Sequence, residues 1–147
     1  MPLGIGLHPY FVRTRRTTLT ARTGLIWETD TEILPTRLVE PGPARDLGRG
    51  FVVDSLALDN CYTEWSGSAV IDWPERRKRM TMTATGQLSF FVVYTPAGAD
   101  FFCAEPVSNA TDAFNLAEQG RRDTGICVLA PGQTMQSIIT FTARATG

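Results

Sequence analysis

The sequence predicts an all-β chain folded as an antiparallel β-sandwich. Short β-branched and aromatic runs recur along its whole length, divided by glycine- and proline-rich turns. Helical character is confined to the stretch 111–119. Strand signals therefore follow one another without intervening helices, which argues against alternating βαβ units and a parallel sheet. At 147 residues the chain is expected to form a single domain, 1–147, large enough to bury roughly 68–70% of its unfolded surface.

Each element has its own warrant. Thr17 to Arg22 is β-branched and alternating, and Gly24 to Thr29 holds Ile26 and Trp27. Phe51-Val52-Val53 is short and apolar, and Ser68 to Trp73 ends at Pro74, which cannot donate to a ladder. In Arg79 to Thr83, Met80 and Met82 alternate with threonines. In Leu88 to Thr95, Leu88, Phe90, Val92 and Tyr94 share one face and Phe91 and Val93 the other, so a strand covered on both sides is expected. Gly86-Gln87 between these two runs suggests a hairpin turn. Gln133 to Arg144 reads as a long final strand, with Met135, Ile139 and Phe141 on one side. Thr111 to Gln119 fits two helical turns, capped by Thr111 and stopped by Gly120. Pro35 to Gly50, rich in proline and glycine, reads as an irregular connection.

Composition narrows the function. The formal net charge of −1 gives no reason to expect a nucleic acid or an anionic membrane as partner. The basic run Arg76-Arg77-Lys78-Arg79 reads as a solvated strand connection. Cys61, Cys103 and Cys127 are too few and too scattered for a disulfide framework, and they suit a reducing cytosol. With no CxxC pair and a single histidine, no metal site is expected. The first residues lack the basic-then-apolar pattern of a secretory signal, and no apolar run approaches the ~20 residues of a membrane span. A cytoplasmic protein is expected.

Taken singly, the polar residues invite ordinary readings. His8 would be a partly buried histidine bonded to backbone, Glu105 a carboxylate at a strand end, and Asp59 a turn former. Their surroundings point elsewhere. Gly4-Ile5-Gly6-Leu7-His8-Pro9-Tyr10-Phe11 is followed by Leu58-Asp59-Asn60-Cys61-Tyr62, with Trp65 and Gly67 behind it. Then come Val93-Tyr94-Thr95-Pro96, Asp100-Phe101-Phe102-Cys103-Ala104-Glu105-Pro106-Val107-Ser108, Asp112-Ala113-Phe114-Asn115 and Leu129-Ala130-Pro131-Gly132-Gln133-Thr134. In this order and spacing the segments resemble the C-terminal half of the aldose 1-epimerase, or galactose mutarotase-like, family.

The resemblance implies a β-supersandwich, incomplete in this chain, that binds a free aldohexose such as glucose or galactose and needs no cofactor. By position it implies His8 as general acid, Glu105 as general base and Asp59 as a holder of substrate hydroxyls. Two departures stand out. The family's N-terminal half, which supplies an arginine and a second histidine, has no counterpart here. Asn109 stands where close relatives often carry a histidine. The uncovered half suggests an alternative: a carbohydrate-binding fragment or subunit that associates with itself or another chain.

The implied chemistry suits these residue types. Interconverting α and β anomers needs a proton taken from the C1 hydroxyl and one given to the ring oxygen, with the roles reversed on closure. A carboxylate and an imidazole on opposite sides of the sugar suffice, each worth typically 10²–10⁴-fold. Histidine changes charge near neutral pH, and a pocket walled by Phe101, Phe102 and Pro106 would raise the Glu105 pKa. Tyr10, Trp27 or Phe102 would pack on the C–H face of the ring.

Overall fold

The structure, a computed structural model, describes residues 1–147. In chain order its strands are β1 (Pro2–Leu3), β2 (Tyr10–Val12), β3 (Thr18–Ala21), β4 (Ile26–Thr29), β5 (Pro35–Val39), β6 (Phe51–Val52) and β7 (Asp59–Tyr62). There follow β8 (Ser68–Trp73), β9 (Lys78–Ala84), β10 (Phe90–Tyr94), β11 (Phe101–Val107), β12 (Cys127–Val128) and β13 (Ile139–Ala145). Two short helices, α1 (Gly42–Arg45) and α2 (Ala113–Glu118), interrupt them.

Every strand pairing is antiparallel. One sheet has six strands in the order β2-β11-β10-β7-β4-β5, a second has five in the order β13-β9-β8-β3-β6, and β1 pairs with β12. The two larger sheets stack through a core set by period-2 alternation. Leu19 and Ala21 on β3, Ala69 and Ile71 on β8, and Met80 and Met82 on β9 meet Phe91 and Val93 on β10 and Phe102 and Ala104 on β11. The predicted antiparallel sandwich is thus present. A second, smaller cluster lies on the outward face of the six-stranded sheet, where Trp27, Cys61 and Phe90 pack under Ala113 and Leu116 of α2.

Several local expectations change. Gly86-Gln87 does not close a hairpin, because β9 pairs with β8 and β13 while β10 pairs with β7 and β11. The turn instead carries the chain from one sheet to the other. Leu88 accordingly joins the main core rather than the face shared by Phe90 and Val92. The final strand begins at Ile139, six positions after Gln133. The stretch 35–50 is more regular than its prolines suggest, since Pro35 opens edge strand β5, where a missing N–H faces away from the ladder. Asp112, not Thr111, precedes α2, in a left-handed conformation and without a side-chain cap. The run 76–79 is largely exposed, with Arg79 paired to Asp72. No helix is long and apolar enough to cross a membrane.

Candidate active site

Three strands and one zipped loop build the site. On β11 and β10, Glu105 lies opposite Val92 and Cys103 opposite Tyr94. On β10 and β7, Val92 lies opposite Cys61 and Tyr94 opposite Asp59. Directly opposed residues of an antiparallel pair share a face. The outward face therefore carries one row running Cys103, Tyr94, Asp59 and a second running Glu105, Val92, Cys61. Phe102, Ala104 and Pro106 alternate to the core side.

Pro106 sits inside β11 without breaking it. Its carbonyl accepts from the Leu7 amide at 3.1 Å, so its own nitrogen faces the same side, where β2 has already ended. Pairing with β10 loses nothing. That side is taken by the loop carrying His8. The Ile5 amide donates to Ser108 Oγ at 2.9 Å, and the Ser108 amide donates to the Ile5 carbonyl at 2.8 Å. Gly6 bridges to Val107. The close approach demands glycine at position 6, where a Cβ would meet Val107 Cγ1 at 2.6 Å and the Pro106 carbonyl at 3.2 Å; at Gly4 a Cβ would meet only the Asn109 amide, Oδ1 at 1.9 Å.

This zipping delivers His8 to Glu105, with Nε2 3.4 Å from Oε1. The His8 ring stacks on Tyr10 at 5.0 Å between centroids and 12° between planes. The side chains differ in setting, His8 being 54% exposed and Glu105 10%. His8, Glu105 and Asp59 line one cleft of about 610 Å³ with Val92, Tyr94, Val107, Asn109, Thr111 and Phe114. That volume falls within the range of small-molecule sites, roughly 300–1,000 Å³.

The electrostatics follow from this placement. Burial pushes the Glu105 carboxyl up to about 7; the His8 charge opposes the rise and the Asp59 charge adds to it. Burial likewise raises Asp59 above the usual carboxylate value, with His8 pulling it back. The Cys103 thiol is pushed up to about 11, chiefly by burial and further by Glu105 and Asp59. A carboxyl poised near neutrality beside an imidazole is the arrangement proton transfer calls for.

Of the residues singled out in the sequence, His8, Glu105 and Asp59 come together. Tyr10 stands beside them, 64% exposed. Phe102 does not, being fully buried in the core between the sheets, because it alternates with Phe101 and Cys103. Trp27 is buried under α2, its Nε1 without a partner. The low-dielectric wall around Glu105 is thus not Phe102 and Pro106 but Val92, across the ladder, and Val107. Phe114, half exposed on α2, was read in the sequence only as part of a motif, Val92 only as one face of a strand, and Tyr94 as both, with no site role. The pairing of β10 with β7 and β11 is what shows where that face points.

An open antiparallel sandwich with an acid/base pair in a cleft on one sheet defines the class of protein. The chain belongs to the aldose 1-epimerase family, whose profile matches residues 1–142. It is 27% identical over 145 residues to the uncharacterized protein YphB of Escherichia coli strain K12, spanning 93% of this chain and 49% of that one. Among solved structures it resembles a proposed aldose 1-epimerase from E. coli K12, with a TM-score of 0.86, 24% identity, and coverage of 99% of this chain and 51% of that one. A galactose mutarotase-like protein from Clostridium acetobutylicum gives a TM-score of 0.79 at 18% identity, covering 99% and 48%. The chain spans about half the length of these relatives. At such identities the solved structures speak to the fold.

Proposed function

We propose that this cleft interconverts the α and β anomers of a free aldohexose by acid/base ring opening. The observation that carries this reading is the His8–Glu105 pair, brought to 3.4 Å in a cleft that also holds Asp59. Glu105 takes the proton from the C1 hydroxyl while His8 gives one to the ring oxygen. The C1–O5 bond breaks, leaving an aldehyde and a C5 hydroxyl. Rotation about C1–C2 presents the other carbonyl face. Then His8 takes back the C5 hydroxyl proton as O5 adds to C1, and Glu105 returns its proton to the new anomeric oxygen. Atoms and charge balance with no covalent intermediate.

The two groups touch each other, whereas the chemistry wants the sugar between them. His8 is the one to move: it is the exposed partner, on a loop, held sideways only by its stack on Tyr10. Asp59, at the far end of its row, accepts substrate hydroxyls, and Tyr10 offers a ring to the C–H face. A reducing, cytoplasmic setting is part of this reading, and three unpaired cysteines support it. The test is magnetisation exchange by NMR between α- and β-glucose and α- and β-galactose. A rate above buffer that collapses in Glu105→Gln supports the reading; a rate the substitution leaves unchanged sinks it.

A second reading is favoured by one observation. Strand β13 pairs only with β9, and its residues from Thr140 onward are exposed, with Phe141 40% and the preceding Ile138 58% accessible. An open edge of this length pairs readily with another strand. On this reading the chain is a sugar-binding unit completed by a second copy or another chain. Sedimentation across a concentration series, with and without sugar, separates the two.

A further inference from the structure

One side chain beside the pair has no part in the acid/base scheme. Cys103 lies two positions before Glu105 on β11, in register with Tyr10 on one side and Tyr94 on the other, and is closed to solvent. A His8 ring nitrogen, the Cys103 sulfur and a Glu105 carboxylate oxygen all lie within 4.8 Å of one another. Three atoms so spaced share a point no more than about 2.8 Å from each, against the roughly 2.0–2.3 Å that zinc takes from nitrogen, oxygen and sulfur. At that limit the shortfall is about 0.5 Å for sulfur and about 0.6–0.8 Å for nitrogen and oxygen. His8 can close much of it, because its side chain is half exposed and sits on a loop.

The donor set selects the ion. Imidazole, thiolate and carboxylate together suit a borderline-soft cation, whereas magnesium and calcium prefer oxygen alone. Three protein ligands leave one position open to water. The sequence argued against any such site, since a single histidine and scattered cysteines show no ligand spacing. Only the zipping of the His8 loop onto β11 assembles it.

We propose that His8, Cys103 and Glu105 bind one soft divalent cation, Zn²⁺ being the working case, and that the ion silences the cleft by occupying the atoms that carry protons. On binding, the Sγ–H bond breaks, an Sγ–Zn bond forms and the proton leaves to water; no electron changes hands. Binding stands on the ligand geometry alone. The loss of rate rests on the mutarotase reading.

The test uses the intact chain with Co²⁺ as the probe. One equivalent should produce a sulfur-to-cobalt charge-transfer band, and Zn²⁺ should bleach it. Cys103→Ser should abolish the band and weaken Zn²⁺ binding at least about tenfold in competition with a chromophoric chelator. Cys61→Ser and Cys127→Ser should keep both. Should Cys103→Ser melt abnormally by circular dichroism, His8→Ala provides the second variant and should weaken Zn²⁺ comparably. Micromolar Zn²⁺ should inhibit anomer exchange in the wild type but not in Cys103→Ser, whose metal-free rate should be unchanged. No band, or a band that survives Cys103→Ser, overturns the site. Zn²⁺ that binds through Cys103 yet leaves exchange untouched overturns the silencing. A band in a chain without exchange activity defeats the mutarotase reading and leaves the metal site standing.

Discussion

The two sheets of the sandwich share a core and differ in what their other faces do. On the five-stranded sheet the outward rows mix polar and apolar groups: Thr20, Val70 and Thr81 stand in line, and Arg79 donates to Asp72 through two contacts of 2.6 and 2.9 Å. On the six-stranded sheet the outward rows bring Glu105 and Asp59 into one cleft, flanked by apolar Val92. The first sheet spends both faces on folding. The second divides its outward face: Trp27, Cys61 and Phe90 pack there under α2, while beside them Glu105 is buried and Asp59 exposed, and a buried carboxylate stays charged only at a cost in stability.

Glu105→Gln sharpens that contrast most. The amide keeps the shape and cannot act as a base, so anomer exchange should fall about 10²–10⁴-fold. Stability should move the other way. Because burial holds the Glu105 carboxyl at about 7 rather than 4.5, the folded chain binds its proton more tightly than the unfolded chain does. Stability contributed by this group is therefore full at low pH and falls as pH rises through that window. Glutamine escapes the loss. The melting temperature of Glu105→Gln should exceed the wild type's at pH 8 and match it near pH 4, below the unfolded carboxyl's 4.5. An equal gap at both pH values would show that the carboxyl is not desolvated as described.

The neighbouring rings divide the same strand pair into core and site. Phe102→Ala should destabilise by about 3–5 kcal/mol in urea melts, because Phe102 is fully buried between the sheets. Tyr10→Ala should cost under about 1 kcal/mol, since Tyr10 is 64% exposed. Its effect should appear in sugar affinity instead. Gly6→Ala falls between: its Cβ would land on Val107 and crowd the Pro106 carbonyl, so the His8 loop must shift away from β11. Overpacking of this kind costs about 1–3 kcal/mol, and exchange should fall about tenfold as His8 is displaced. Wild-type exchange in Gly6→Ala would show that His8 needs no zipped loop.

The same division explains what was legible. β8 matched its sequence limits at both ends, Ser68 to Trp73, and β9 extended its limits by one residue at each end, because each has a buried row and an outward row of mostly polar or small residues. β7 and β11 announced no such alternation. β7 opens with Asp59-Asn60, and β11 reads Phe-Phe-Cys-Ala-Glu-Pro-Val, apolar on both faces around a single carboxylate and with a proline inside. The two strands that carry the carboxylates look least like strands. The fold class needed only the well-behaved sheet, whereas His8, Asp59 and Glu105 were found through resemblance, and their juxtaposition depends on ladders between distant segments that no local pattern encodes. Phe102 was misassigned for the complementary reason: its neighbour in sequence points into the other layer.

Phe114 gives the mildest and most selective break. It is half exposed at the cleft wall, on a helix of only six residues whose inward side, Ala113 and Leu116, already holds α2 to the sheet. The ring is therefore not needed for folding, and Phe114→Ala should shift stability by no more than about 0.5 kcal/mol. An exposed aromatic ring facing charged groups across a cleft suits the C–H face of a sugar, and taking such a contact as comparable to an aromatic pair gives about 0.5–1.5 kcal/mol. Sugar affinity should drop by roughly twofold to tenfold, read as a higher KM with kcat nearly unchanged, since the ring touches no reacting atom. A fall in kcat without a rise in KM would mean instead that Phe114 supports the Glu105 side of the cleft, and that the second face of the sheet is as tightly coupled to its packing as the first.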